Sequence, residues 1–159
     1  MKAVVIYDSV FGNTEKVAQA IGAGLGSPEE VAVRRVSDAR PEQLTGLDVL
    51  VVGSPTRAFR PMPTVNAFIK GLPANALQGI RTAAFDTRIS AEDTNSALLR
   101  FLAGRFGWAA AKIARGLAQK GGRQAVAPEG FFVLGSEGPL RDGELERAAE
   151  WARRIVAAG

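Results

Sequence analysis

The chain has 159 residues, of which 47% are hydrophobic and 23% are charged, a balance typical of one folded globular domain of ordinary size. It contains no cysteine and no histidine, which excludes dithiol redox chemistry, cysteine-ligated iron–sulfur clusters, zinc sites of the Cys/His type and His-dependent nucleophilic catalysis. The formal net charge is +4, and any redox chemistry would need a bound organic cofactor.

The first half of the chain predicts three strands and two helices. Two consecutive arginines interrupt the second strand, as expected for an outer strand, whereas the third is apolar throughout, as in a buried central strand. The predicted elements are a strand at Lys2–Tyr7, a helix at about Asn13–Leu25, strands at Glu30–Val36 and Asp48–Gly53, and a short helix at about Thr64–Lys70.

The second half continues this alternation, and Pro128 interrupts its last strand. The predicted elements are a strand at Arg81–Phe85, a helical pattern at about Thr94–Ala103, a helix at about Trp108–Gln119, and a strand split into Gln124–Ala127 and Phe131–Leu134. The last helix is predicted to begin at an Asp142 cap and to bury Leu145, Ala148, Ala152 and Ile155.

Strands that alternate with helices five times predict an α/β fold with a doubly wound parallel sheet, in a single domain over residues 1–159. Ligands of such sheets bind beyond the carboxyl ends of the strands. The loops predicted at those ends are Ser9–Thr14, Ser54–Arg60 and Asp86–Arg88, which are also the most polar. We therefore expect the functional site at this edge.

The loop Ser9–Thr14 lies between a buried strand and the N-terminus of a helix. Such a loop offers free backbone N–H groups and the positive end of a helix dipole, which together favour an anion. Ser9, Asn13 and Thr14 add side-chain donors, and Gly12 allows close backbone approach. We interpret the loop as a binding site for a phosphate monoester; the alternative is that Asn13 or Thr14 only caps the helix.

Basic residues are concentrated in the middle of the chain. From Ser54 to Arg123 there are eleven basic and three acidic side chains. This region suggests an anionic ligand or an acidic partner, and the alternative is an arginine-rich surface that only faces solvent. No aromatic platform accompanies these bases on one predicted surface, so we expect no nucleic-acid binding.

Membrane and export signals are not found in the sequence. The longest strongly apolar run, Val49–Val52, is far shorter than the ~20 residues that a membrane helix needs. The sequence runs straight from its first residue into the predicted first strand, with Lys2 as the one basic residue before the apolar run, which predicts that there is no signal peptide. We therefore expect no membrane span and a cytoplasmic location.

Three motifs of this chain resemble the flavodoxin family. The loop Ser9–Thr14 is similar to the family's phosphate loop, with Phe11 where threonine is usual, and Gly53–Thr56 resembles the loop that runs along the flavin. Phe131–Leu140, followed by Gly143–Ala148, resembles the last strand and helix of a flavodoxin-like subgroup. The resemblance spans nearly the whole chain and is to the shorter flavodoxins, because no long insertion splits the last strand.

This resemblance implies a sheet with strand order 2-1-3-4-5, a bound FMN, and electron transfer through the flavin. The hydroxyls of Ser9 and Thr14 would donate to the phosphate, and the backbone N–H groups of residues 11–13 would donate beside them. The implied cofactor-binding residues are Ser9, Val10, Phe11, Gly12, Asn13, Thr14, Ser54, Pro55, Thr56, Arg57, Phe59, Asp86, Thr87 and Arg88.

One departure from the family pattern is the scarcity of aromatic residues at the ring end of the implied site. Flavodoxins usually stack the flavin between aromatics, but here the loop after the third strand has only Phe59, and no aromatic follows Asp86–Arg88 until Phe101. Trp108 either substitutes for a missing ring or packs within the protein or against a partner. Stacking is therefore expected to be weaker or one-sided.

A second departure is charge, because shuttle flavodoxins are typically acidic around the flavin. Here Arg57, Arg60 and Arg88 fall in the implied flavin loops. Nearby cations favour an anionic reduced flavin, so we expect this flavin to be easier to reduce than that of a usual flavodoxin. The alternative is that these arginines point to solvent and are screened.

Three functions fit these observations. An FMN-binding electron carrier of flavodoxin type is favoured, because it needs no acid–base residue; it would serve a redox partner protein, which the basic middle suggests is acidic. The alternative is an FMN-dependent oxidoreductase of the NAD(P)H/quinone or protoporphyrinogen class, in which the three arginines hold an anionic small-molecule substrate. A third is a binding module that kept the fold and lost the flavin.

Overall fold

The computed structural model describes residues 1–90 and 96–159, which form one sheet with helices on both faces. The strands are β1 Ala3–Tyr7, β2 Val31–Arg35, β3 Val49–Pro55, β4 Arg81–Ile89, β5 Arg123–Gln124 and β6 Glu129–Val133. The helices are α1 Asn13–Leu25, α2 Pro63–Gly71, α3 Ala97–Phe106, α4 Ala109–Gln119 and α5 Glu144–Ala157. Short 3₁₀ turns at Val36–Asp38 and Pro41–Leu44 lie between β2 and β3.

The strands of the sheet pair in parallel in the order β2-β1-β3-β4-β5. β5 has only two residues, and β6 pairs with the later part of β4, from Phe85 to Ile89. β5 and β6 both lie beside β4 at the edge of the sheet and together form the split strand that Pro128 predicted. The expected doubly wound α/β sheet of order 2-1-3-4-5 is therefore confirmed.

Each face of the sheet packs against its own pair of helices. α1 and α5 cover the face that carries Val5, Val51 and Phe85, whereas α2 and α4 cover the face that carries Ile6 and Leu50. These five side chains are buried. Because side chains alternate between faces along a strand, consecutive residues at the end of β4 contact different helices.

The face covered by α1 and α5 contains an aromatic centre. The rings of Phe85, Phe131 and Trp151 meet edge to face, with centroids 6.0 to 6.3 Å apart. Gly53 is required beside them, because a Cβ atom there would lie 2.0 Å from the Phe85 ring. This close packing fixes the end of β3 against β4, immediately below the polar edge of the sheet.

Two strands extend further toward this edge than predicted. β3 continues to Pro55 and β4 continues to Ile89, so Ser54, Pro55 and the segment Asp86–Arg88 lie in strands rather than in loops. β4 pairs with β3 on one side and with β6 on the other, and this pairing carries the strand past Phe85. The predicted loop at Asp86–Arg88 was therefore wrong.

The start of the last helix also differs from the prediction. Gly143, in the left-handed conformation with φ 85°, occupies the N-cap position instead of Asp142. The Glu144 carboxylate turns inward and accepts the Phe132 N–H at 2.7 Å, and the next residue, Leu145, is 40% exposed. The predicted burial of Leu145 was therefore wrong, and Trp151 of the same helix is buried.

The helix before α4 extends further toward its C-terminal end than predicted. The predicted pattern at Thr94–Ala103 begins outside the described residues, and α3 continues past Gly104. Leu98 and Phe101 on α3 are about two-thirds exposed, at 66% and 67%. Across residues 1–90 and 96–159, none of the helices combines the length and apolar character needed to cross a bilayer.

Candidate functional site

A cavity of about 560 Å³ lies at the carboxyl ends of β1, β3 and β4, where the sequence predicted the site. Its volume is within the range of typical small-molecule sites, roughly 300 to 1,000 Å³. Ten of the fourteen predicted residues line it, namely Ser9, Val10, Phe11, Asn13, Thr14, Pro55, Thr56, Arg57, Thr87 and Arg88. The described lining also includes four residues that were not predicted from the sequence, Ala58, Ile89, Val133 and Ser136.

The loop between β1 and α1 has the backbone conformation expected of an anion-binding loop. Gly12 occupies the N-cap of α1 with φ 92° and ψ −5°, a left-handed conformation that favours glycine. A Cβ atom at Gly12 would meet nothing within 4 Å, so the backbone angle rather than space requires glycine there.

The alternative interpretation of this loop, a simple helix cap, is wrong. No side chain caps α1. The Asn13 side chain instead donates to the Glu137 carbonyl at 3.0 Å, and the hydroxyls of Thr14 and Thr87 are hydrogen-bonded at 2.7 Å. Asn13 therefore ties the loop to the segment after β6, and Thr14 ties it to β4.

Several backbone donors of the loop are left without a protein acceptor. Among the described residues, no acceptor is hydrogen-bonded to the backbone N–H groups of Val10, Phe11, Asn13 or Thr14. All four residues line the cavity. The Gly12 N–H, by contrast, donates to the Ser9 hydroxyl at 3.1 Å. Two amides in the loop and two in the first turn of the 13-residue helix α1 are therefore available to bind an anion.

A carboxylate below the loop, which is not among the site residues predicted from the sequence, holds the loop in place. Asp8 is buried, and its oxygens accept the Ser9 N–H at 2.8 Å, Arg35 Nη1 at 2.8 Å and the Thr64 hydroxyl at 2.5 Å. Arg35 also donates to the Ser9 carbonyl at 3.0 Å. Asp8 thus connects the loop to β2 and α2; its position directly after a buried strand was the available signal.

The opposite end of the cavity is formed by a tight turn over residues 57–60. The backbones of Arg57 and Arg60 are bonded to each other in both directions at 2.9 and 3.0 Å, and Ala58 and Phe59 have positive φ angles of 49° and 63°. Lys112 donates its Nζ to the Phe59 carbonyl. The turn is therefore fastened to α4.

Phe59, predicted as a ring contact, is instead packed against Trp108. Their ring centroids are 5.7 Å apart at an interplanar angle of 56°. Phe59 and Trp108 are both absent from the described cavity lining. The aromatic residues at this end thus support the turn and the start of α4 rather than face the cavity.

Asp86 lies under this end and is fully buried. Its carboxylate forms two hydrogen bonds with Arg88, at 2.6 and 2.7 Å, and accepts the Ala110 N–H at 2.8 Å. Burial raises the pKa of the Asp86 carboxyl, while Arg88, the Ala110 amide and the Thr56 hydroxyl act in the lowering direction. Asp86 therefore acts on the cavity through Thr56 and Arg88, both of which line it.

The three arginines that were expected in the flavin loops lie in different electrostatic environments. Arg88 is paired with Asp86 and lies 4.7 Å from the Trp108 ring centroid, so its charge is largely offset. Arg57 and Arg60 are exposed, and neither has a carboxylate within ion-pair distance in the part of the chain that the structure describes. Of the two arginines in the described cavity lining, Arg57 is thus the one that has no carboxylate partner among residues 1–90 and 96–159.

Ser54 and Gly12, which do not line the cavity, support the residues that do. The buried Ser54 hydroxyl accepts the Met62 N–H at 2.8 Å and so joins β3 to the start of α2. Gly12 sets the turn into α1.

Comparison with known proteins decides the family. A family model described as a flavodoxin domain matches residues 4–126, which include most of β1, the loop Ser9–Thr14, β3 and β4. The chain belongs to the flavodoxin family. The family resemblance is therefore confirmed, and the matched range contains two of the three motifs, Ser9–Thr14 and Gly53–Thr56, whereas the third begins beyond residue 126.

Two curated relatives match this flavodoxin-family chain over part of its length. A flavodoxin of Aquifex aeolicus is 44% identical over 57 residues, which is 35% of this chain and 31% of that protein. An uncharacterised protein of Methanocaldococcus jannaschii is 30% identical over 92 residues, 52% of this chain and 24% of that protein. The matches thus span about a third or less of each curated relative.

Solved flavodoxin structures share the fold over the full length of this chain. Oxidised flavodoxin 2 of Bacillus cereus covers 100% of both chains with a TM-score of 0.76 at 19% identity. A flavodoxin from an archaeon has a TM-score of 0.71 at 24% identity, over 99% of this chain and 97% of its own. Rubredoxin oxygen:oxidoreductase of Desulfovibrio gigas matches 99% of this chain with 35% of its own, at a TM-score of 0.66 and 18% identity.

Proposed function

We propose that this flavodoxin-family chain binds FMN in the cavity and serves as an electron carrier. The observation that carries the proposal is the set of four N–H groups in the loop and first turn of α1 that have no acceptor among the described residues, in the same cavity as the Thr14 and Thr87 hydroxyls. A phosphate monoester accepts several hydrogen bonds and is stabilised by the positive end of a helix dipole. This donor set fits such a phosphate without a basic side chain in the loop.

The rest of the cavity fits the remainder of the cofactor. Pro55, Ile89 and Val133 supply apolar lining, and the Thr56 hydroxyl supplies a polar group at the same edge. When bound, FMN would supply reversible electron transfer. The chain's own residues would bind the phosphate, exclude water from the apolar part and hold the cofactor against β3 and β4.

The family and its electron-transfer members support this function. The proposal has further parts that rest on the sequence. These are a redox partner protein, the acidity of that partner, the single-domain organisation and the cytoplasmic location.

The proposal is tested by titrating the purified protein with FMN and following the quenching of flavin fluorescence. We expect tight 1:1 binding that is weakened roughly ten- to hundredfold in Thr14→Ala, because a hydrogen bond to a charged group contributes about 1.5 to 3 kcal/mol. Thr45→Ala removes a hydroxyl from an exposed threonine far along the chain and is the matched control. An equal loss in both variants would contradict the assigned role of Thr14.

A protein that binds no FMN at all would leave only the fold, and would favour the flavin-less binding module.

An FMN-dependent oxidoreductase is the second candidate, favoured by the unpaired Arg57 in the cavity lining. A guanidinium there can hold an anionic substrate by charge and by paired hydrogen bonds. Sustained turnover of NAD(P)H with a quinone would support this candidate, whereas single electron exchange without turnover would support the carrier.

A further inference from the structure

The surface formed by α2, α4 and the turn over residues 57–60 is uniformly basic. Its six cations, which we call the basic face, are Arg57, Arg60, Lys70, Lys112, Arg115 and Lys120. Four of them are exposed, and Lys112 and Lys120 are partly buried. We propose that the basic face is the docking site for an acidic protein that exchanges electrons with the cofactor, an inference that rests on the proposed function.

Acidic residues are missing from this surface but are present on the opposite one. Neither α2 nor α4 contains an aspartate or glutamate, and Glu92 and Asp93 lie outside the described residues. None of the six cations has a carboxylate within ion-pair distance in residues 1–90 and 96–159. On the face of α5, by contrast, Arg147 and Arg154 are paired with Glu129. The basic face therefore keeps its charge for another molecule.

The cations of the basic face lie close enough to repel one another. Lys70, Lys112, Arg115 and Lys120 line a single groove of about 300 Å³ between α2 and α4. Burial and the positive charges of Arg60 and Arg115 lower the pKa of the Lys112 ammonium. Negative charge placed on this groove would relieve the repulsion, which gives an acidic surface a direct energetic advantage.

The basic face reaches the mouth of the cavity. Arg57 and Ala58 line the cavity, and Lys112 on α4 donates to the carbonyl of Phe59 in the same turn. Cations therefore continue from the cofactor site along the turn and onto α4. A protein that covered this surface would bring its own redox centre beside the ring end of the cavity.

The layout of the charges favours a protein over a small anion. From Lys112 to Gln119, α4 extends about 10 Å at a rise of about 1.5 Å per residue, and further cations lie on α2 and on the turn. The charges are spread over three elements rather than aimed at one point. Such a distribution steers the approach of a charged surface and raises its association rate.

The test uses the FMN-loaded protein, reduced beforehand, and follows its oxidation by three acceptors at low ionic strength. The acceptors are the acidic soluble domain of cytochrome b5, the basic cytochrome c, and neutral benzoquinone. We expect faster second-order oxidation by cytochrome b5 than by cytochrome c, with the cytochrome b5 rate falling as salt is added.

Charge reversal on each helix locates the effect. Arg115→Glu on α4 and Lys70→Glu on α2 should each slow oxidation by cytochrome b5 about three- to tenfold at low salt, because each removes part of the steering field. Arg153→Glu, an exposed arginine on α5, makes the same change in net charge and should alter the rate by less than about twofold. Oxidation by benzoquinone should be the same in all variants.

The outcomes separate this inference from the function on which it rests. If benzoquinone oxidises the protein, the carrier function stands. Equal slowing of cytochrome b5 oxidation in Arg115→Glu and Arg153→Glu would then overturn the docking site, and so would the absence of a preference for the acidic cytochrome. Loss of NADPH binding in Arg115→Glu with unchanged cytochrome kinetics would assign the face to a dinucleotide and also overturn the proposal. Failure to bind FMN or to reduce benzoquinone would overturn both.

Discussion

The two ends of the cavity are built on different principles. The end proposed to bind the phosphate, here called the phosphate end, consists of neighbouring residues with free backbone donors among the described residues, with Gly12 setting the turn and Asp8 holding it from below. The end proposed to hold the flavin ring, here called the ring end, is assembled from distant side chains, with Asp86 and Arg88 of β4 packed under the start of α4. Local backbone geometry thus defines one end, and a buried ion pair defines the other.

The largest effect should come from breaking the buried pair at the ring end. Asp86→Asn leaves the guanidinium of Arg88, whose side chain is only 16% exposed, without its charge partner. Removing one member of a buried pair typically costs about 3 to 5 kcal/mol, and we expect a loss of that size in the free energy of unfolding by urea.

The control for this prediction is Glu129→Gln, because Glu129 is 31% exposed and pairs with Arg147 at 3.3 Å near the surface. Exposed pairs contribute at most about 1 kcal/mol. A loss in Asp86→Asn no larger than in this control would show that the ring end is not organised around its ion pair.

A smaller effect, of about tenfold in affinity, should follow from Gly12→Ala at the phosphate end. An alanine in the left-handed conformation costs about 1 to 2 kcal/mol, so the loop should relax and misalign its N–H donors. Calorimetric titration should show weaker binding of FMN and unchanged binding of riboflavin, which lacks the phosphate.

Gly143 offers a close control, because it holds the N-cap of α5 with φ 85° and ψ −4°, nearly the angles of Gly12. Gly143→Ala should reduce thermal stability by a similar amount while FMN affinity stays unchanged. Weakened riboflavin binding in Gly12→Ala would show that the two ends are not separate.

The smallest predicted effect concerns the charge at the ring end. Since Arg88 is paired with Asp86, Arg57 is the cation left to stabilise negative charge on a reduced cofactor. Because its side chain is exposed, a water-like dielectric applies. The attraction between its unit charge and the reduced cofactor then contributes roughly 0.7 kcal/mol, which corresponds to a shift in reduction potential on the order of 30 mV. Arg57→Gln should lower the reduction potential by about that amount in a redox titration, and an unchanged potential would show that Arg57 is fully screened.

The phosphate end could be predicted from the sequence because its signal is local. A polar loop with glycine between an apolar strand and a helix determines its own geometry, and residues 9–14 follow one another in the chain. The sheet order could be predicted for a similar reason, since the alternation of apolar strands and helices repeats along the whole sequence and the motifs identified the family.

The ring end could not be predicted to the same extent, because its geometry depends on pairing between distant segments. β5 is too short to reach the polar edge, so β6 pairs with the end of β4 and brings Val133 beside Ile89. The same pairing keeps Asp86 in the sheet, where Ala110, 24 residues away, covers it. Phe59 packs against Trp108, which lies on another element, and therefore does not line the described cavity.

The three-way contact of Asp8 has a consequence for how quickly a ligand can be captured. Its carboxylate holds Ser9, Arg35 and Thr64 together, so β2, α2 and the loop are joined through protein atoms alone. A site shaped in this way pays little ordering entropy when its ligand arrives. Association at the phosphate end should then be limited by encounter rather than by rearrangement of the loop.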